Sequence, residues 1–186
     1  MASLSGKKLL ILVSNGVDEA VMSTVQREML KTGATIKTVS TESGLVNSWN
    51  GTNWGLYFPV DQQIGQTLGS DFDALIVPSG IRSVQKLGAN PHSERIISSM
   101  IAARKPMAFI GDAVELLAKI ELAKGWRVGG PERSEKTMID AGAEWMAEAQ
   151  DVVHNALLTG TAANMQAFID TMVAHIAGIE EVKAAA

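Results

Sequence analysis

The chain has 186 residues, 46% of them hydrophobic and 19% charged, with a formal net charge of −4. That length and apolar content suit one domain with a full core and leave little room for two, and the acidic balance without any basic run argues against a nucleic-acid partner. There is no cysteine, which removes disulfides, thiolate metal sites and every thiol mechanism together.

The opening residues, Met1 to Lys8, lack the apolar core and cleavage site of a signal peptide. No apolar stretch approaches the ~20 residues needed to span a bilayer, so a soluble, cytoplasmic protein with no membrane partner is expected. Leu9-Leu10-Ile11-Leu12-Val13 is apolar on successive residues, the mark of a strand covered on both faces. After the Ser14-Asn15-Gly16-Val17 turn, Asp18 and Glu19 put negative charge where a helix would start. Val17, Val21, Val25 and Met29 recur at helical spacing, and Gly33 is a natural stop. Ala34 to Ser40 reads as a second strand, which makes a β-α-β opening with a parallel pair.

Between Gly44 and Val60 the pattern changes. Asn50-Gly51 signals a type I′ hairpin, with Trp49 and Trp54 flanking it and Leu56-Tyr57-Phe58 following. The simpler reading, an antiparallel excursion near 46–58 at the sheet margin, stands beside a second one in which the tryptophans form a partner surface. Phe72 to Val77 is the next buried strand and ends in Pro78-Ser79-Gly80. Asn90-Pro91 then opens a helix in the N-cap and N1 positions, with Ile96, Ile97, Met100 and Ile101 inward.

Met107 to Ile110 is a further buried strand. It stops at Gly111, and Asp112 is expected to open the helix that carries Leu116, Leu117 and Ile120. A strand-to-helix turn of this kind aims one side chain into the crevice above the carboxyl edge of a parallel sheet. At Gly111 that side chain is missing. Val152 to Thr159 reads as two short strands around His154-Asn155, and Met165, Phe168, Ile169, Met172, Val173 and Ile176 mark the last helix. The alternation gives an α/β fold of one domain over 1–186, a mostly parallel sheet with helices on both faces; residues 1–6 and 179–186 are expected to be flexible. Asp18, Ser79-Gly80 and Gly111-Asp112 each follow a strand, so they should meet at one edge.

Leu9 to Glu19, Asp73 to Gly80, Lys105 to Leu117 and Asp140 to Thr159 occur in the order and spacing of the ThiJ/PfpI family. The chain resembles that family, part of the class I glutamine amidotransferase-like superfamily with its flavodoxin-like architecture, from about Lys7 to Ile176. In active members the resemblance implies a cysteine at the strand-to-helix turn, then histidine and glycine, with a glutamate beside the thiol. Here those positions hold Gly111, Asp112, Ala113 and Asp18, while Pro78-Ser79-Gly80 stands for the turn that helps form an oxyanion pocket. The run from Pro106 to Ala113 is closer to the C-terminal domain of large-subunit catalases, which shares the fold, lacks the thiol and is associated with stability and assembly.

The chemistry left to these residues is narrow. Ser79 needs a base within hydrogen-bond reach to act as a nucleophile. His92, His154 and His175 fall at a helix start, in a hairpin and near the end of the last helix, so a turn serine is the better reading. Asp18 and Asp112 could form an acid/base pair with bound water, as in a hydrolase or lyase, but both stand at helix starts where aspartate is a common cap, and capping is favoured. A cation between them would lack enough oxygens; neither a metal nor a cofactor is expected. Gly129-Gly130-Pro131 makes no phosphate loop, Trp126 reads as a packing anchor, and Glu144-Trp145 as a local pair. The expectation is a catalytically silent, oligomeric binding or stress-related module whose partners are a second copy, in a homodimer or larger assembly, and a small molecule. Its vestigial pocket would lie at Asp18, Ser79, Gly80, Gly111 and Asp112.

Overall fold

The computed structural model describes the backbone of residues 2–185 and the side chains of residues 2–178. The elements follow the order β1 (Lys8–Val13), β2 (Val17–Asp18), α1 (Glu19–Lys31), β3 (Thr35–Ser40), β4 (Leu45–Trp49), β5 (Trp54–Pro59), β6 (Gln62–Gln63), β7 (Ala74–Val77), α2 (Ile81–Gly88), α3 (Pro91–Ala102), β8 (Met107–Ile110), α4 (Glu115–Lys119), β9 (Arg127–Val128), α5 (Glu135–Asp140), β10 (Glu144–Trp145), β11 (Asp151–His154), β12 (Leu157–Gly160) and α6 (Met165–Ala185). Seven strands form the main sheet in the order β11-β12-β8-β7-β1-β3-β6. All pairs are parallel except the edge pair β11 and β12. This is the flavodoxin-like α/β arrangement.

The unbroken apolar runs have a direct cause. On β1, Leu10 and Leu12 enter one core with Leu75, Val77, Met107 and Phe109, under α2, α3 and α4. Leu9, Ile11 and Val13 enter the other, with Ile76, Ala108 and Ile110, under α1 and α6. A strand alternates its side chains between faces, so a sheet buried on both sides needs an apolar residue at every position.

The helices obey the local signals for the most part. Asp18 caps α1 by accepting from Val21 N–H at 3.0 Å, and Thr32 closes it before Gly33 at φ +80°. Asn90 caps α3 through His92 N–H, with Pro91 in the first turn. Phe168, Ile169, Met172, Val173 and Ile176 are buried along α6. Two helices, α2 and α5, have no counterpart in the sequence reading, although Val84 and Leu87 of α2 and Met138 of α5 are fully buried. The start of the chain, expected to be flexible over 1–6, is held at Leu4, which is buried and donates its N–H to Thr32 O at 2.9 Å. The fraying expected over 179–186 concerns residues whose side chains lie outside the described set.

The excursion near 46–58 is antiparallel, with β4 on β5 and β2 added parallel beside β4. Its turn is not type I′, which needs a positive φ at both central residues. Only Gly51 has one, at +103°. The loop is wider because Asn50 turns its side chain inward: its Oδ1 accepts from Thr52 N–H, Thr52 Oγ1 and Asn53 N–H. Trp54, Leu56 and Tyr57 are exposed on β5. Among the described residues no helix is long and apolar enough to cross a membrane.

Phe109→Ala, in the middle of the sheet and fully buried, should cost about 3–5 kcal/mol in urea unfolding, while Tyr57→Ser should stay within about 0.5 kcal/mol. A second expectation concerns pH. Burial holds the His175 imidazole below its ordinary 6.5, against a weaker opposite pull from its bond to Ala156 O. The unfolded chain therefore takes up the proton more readily. The contribution is fully present above about pH 6.5 and is lost as pH falls through the folded pKa. Urea midpoints measured from about pH 7 down to about pH 5 should fall less steeply in His175→Gln than in the natural protein.

Candidate functional site

Strands β1, β7 and β8 are neighbours in the sheet, so the loops leaving their carboxyl ends meet. Asp18 N–H donates to Ser79 O at 2.8 Å, and Gly80 N–H donates to Asp112 Oδ1 at 2.8 Å. The approach is so close that Gly80, at φ +133°, has no room for a side chain: a Cβ would stand 2.6 Å from Gly16 O and 2.7 Å from Asp18 N.

Gly111 ends β8 in the left-handed region at φ +59°. A Cβ there would point at Ser79, 3.2 Å from its Cβ and 3.8 Å from its Oγ. Glycine tolerates this conformation at no steric cost. The helix does not begin at Asp112 as expected. The chain first makes a 3-10 turn over Gly111–Val114, and α4 starts at Glu115 with no side-chain cap.

Asp112 is consequently not a cap. Its carboxylate is almost fully buried and binds outward from its own helix: Oδ1 takes the Gly80 N–H, and Oδ2 takes Arg133 Nη2 at 2.8 Å. Arg133 reaches it from a 3-10 turn over Glu132–Ser134, where Ser134 Oγ also donates to the buried Glu115 carboxylate at 2.7 Å. One short segment is thus tied twice to the turn after β8. An acid/base pair needs an oxygen free to exchange a proton with substrate. Asp112 has both oxygens engaged, and Asp18 caps α1, as favoured.

A cavity of about 520 Å³ opens at this rim, and Asp18, Gly80 and Asp112 line it. Ser79 and Gly111 are not in its lining, and Gly111 is buried. The sequence reading missed other lining residues, Glu19, Trp49, Arg82 and Arg133. Arg82 lies with its guanidinium carbon 3.8 Å over the Trp49 ring, and Trp49 meets Trp54 edge-on at 5.5 Å. Glu19 Oε2 accepts from Ser48 Oγ and Leu56 N–H, which ties the hairpin to the first turn of α1. A signal for Arg82 was available in the Ile81, Val84, Leu87 spacing of α2; none existed for Arg133, whose partner is 21 residues away.

No histidine serves Ser79. His92 accepts from Arg95, His154 from Arg127 N–H, and His175 bonds Ala156 O. Trp126 packs against the core and meets His154 edge-on, and Glu144 pairs with Arg127 while Trp145 packs on the core. Both agree with the packing reading.

Fold and rim together define an open α/β protein with a crevice at the carboxyl edge of its sheet. The chain belongs to the DJ-1/PfpI family, whose model matches residues 7–175. It is 25% identical over 162 residues to YraA of Bacillus subtilis, covering 87% of this chain and 94% of YraA. It is 29% identical over 119 residues to catalase HPII of Pseudomonas aeruginosa, covering 64% of this chain but 16% of the catalase. Among solved structures, a two-domain protein from Anabaena variabilis with DJ-1/ThiJ/PfpI-like and ferritin-like domains shares the fold. The TM-score is 0.84 at 20% identity, over 92% of this chain and 48% of that one.

Gly80→Ala should destabilise the protein by about 3 kcal/mol, since the new Cβ meets backbone that cannot withdraw and the φ is strained. Urea unfolding followed by circular dichroism measures it.

Proposed function

We propose that this protein is a catalytically silent member of its family, an oligomeric module that binds a small molecule at the rim cavity. The observation that carries this reading is Gly111. It stands at the family's nucleophile position, in a chain with no cysteine to take its place. Nucleophilic catalysis requires an activated side chain at the reacting carbon, and removing a nucleophile from a working unit costs on the order of 10⁶ in rate.

The engagement of Asp112 supports the same reading. Its carboxylate holds the rim together, as a structural part would, and the cavity beside it remains open. The match to part of catalase HPII is compatible with a role in stabilising or stress-related assembly. The exposed Trp54, Leu56 and Tyr57 suit contact with a second copy.

The test is a turnover assay with methylglyoxal and with a fluorogenic peptide, on the natural protein and on Gly111→Cys. The natural protein should leave both substrates unchanged. Gly111→Cys adds the chain's one thiol at a buried position facing Ser79, and it should react with a chromogenic disulfide more slowly in the folded protein than in urea. Turnover by the natural protein would overturn the reading, and a monomer by light scattering at micromolar concentration would remove its oligomeric part.

A further inference from the structure

Five charged side chains line the rim cavity: Asp18, Glu19, Arg82, Asp112 and Arg133. Asp112 and Arg133 neutralise one another at 2.8 Å. The other three form no ion pair among the described residues. Asp18 accepts only from Val21 N–H, Glu19 only from Ser48 Oγ and Leu56 N–H, and Arg82 rests on the face of Trp49. One cation and two anions therefore share a cavity without meeting.

The two acids suit the fold, because the first turn of α1 favours negative charge. Arg82 does not. It is the second residue of α2, at the end of the helix dipole that disfavours a cation; the carboxylate on the Gly80 amide there, Asp112, is already paired with Arg133. Stacking on Trp49 offsets part of the cost, and the Arg82 stem lies against Gly16, but a long apolar stem would fill that place without a charge. A negatively charged group in the cavity would account for it.

Resting on the silent-pocket reading above, we infer that the cavity binds a basic α-amino acid. Arg82 takes its carboxylate, and Asp18 and Glu19 take its two ammonium groups. The complement follows from the unpaired charges, one positive and two negative. A dianion would face two carboxylates, a plain diamine would leave Arg82 unmatched, and a neutral side chain would leave one acid unmatched. The volume of about 520 Å³ lies within the ordinary range for small-molecule sites and admits a ligand of this size.

Isothermal titration of the full-length protein with L-lysine tests this, against L-norleucine (no side-chain ammonium), pentane-1,5-diamine (no carboxylate) and succinate. Lysine should bind about tenfold more tightly than norleucine or the diamine, the worth of one charge-assisted hydrogen bond. Arg82→Gln should weaken lysine binding about tenfold and leave the diamine unchanged. Glu19→Gln, which can still accept the Leu56 N–H, should bring lysine and norleucine together. Circular dichroism checks the fold of both variants, and Arg82→Lys, which keeps the charge, should restore part of the binding if Arg82→Gln melts early. Equal binding of lysine and norleucine, tighter binding of succinate, or no lysine binding up to about 10 mM would each overturn the inference. Succinate binding without turnover would do so while leaving the silent-pocket reading intact; turnover by the natural protein would remove that reading alone.

Discussion

One buried carboxylate organises the rim of this protein. Asp112 leaves the end of β8 and binds the Gly80 amide at the start of α2 with one oxygen and Arg133 with the other. A buried charge is costly unless it is paired and hydrogen-bonded, so Asp112 and its two partners must stay together for the fold to persist. The Ser134–Glu115 bond repeats the tie one helical turn further on. With Gly80 seated against Gly16 and Asp18, the loops after β1, β7 and β8 become one rigid edge.

The consequence for chemistry is a division of labour. The residues nearest the bend serve structure first: Gly111 has no side chain, Asp112 has one oxygen on the Gly80 amide and the other on Arg133, and Asp18 caps α1 through Oδ1 alone. A little farther out, Glu19, Arg82 and Trp49 also line the cavity, Glu19 holding the hairpin through Oε2 and Arg82 stacked on Trp49. The same fold can carry different chemistry at this rim, because the groups that line the cavity are set by loops and helix starts and not by the sheet.

Much of this was legible in the sequence because burial on both faces leaves an unmistakable trace. The runs at Leu9–Val13, Ala74–Val77 and Met107–Ile110 have no other economical explanation, and their order placed Asp18, Ser79 and Gly111 on one edge. Local caps were equally visible at Asp18 and Asn90. What the sequence hid was non-local. Asp112 looked like a cap since it follows a strand and precedes a helix, but its partners come from 32 and 21 residues away. The short helix α2 sits between two glycines that resemble a loop. Asn50-Gly51 implied a tight turn, whereas the Asn50 side chain satisfies the loop amides and widens it.

The most direct test of the central claim is amide hydrogen exchange at Gly80, followed by NMR in the natural protein and in Asp112→Ala. The account predicts slow exchange in the natural protein, because the N–H is held by a buried carboxylate, and an acceleration of at least about tenfold once that acceptor is removed. Free exchange of Gly80 in the natural protein, or equal rates in the two, would mean that Asp112 does not hold the rim and that the carboxylate is available for another purpose.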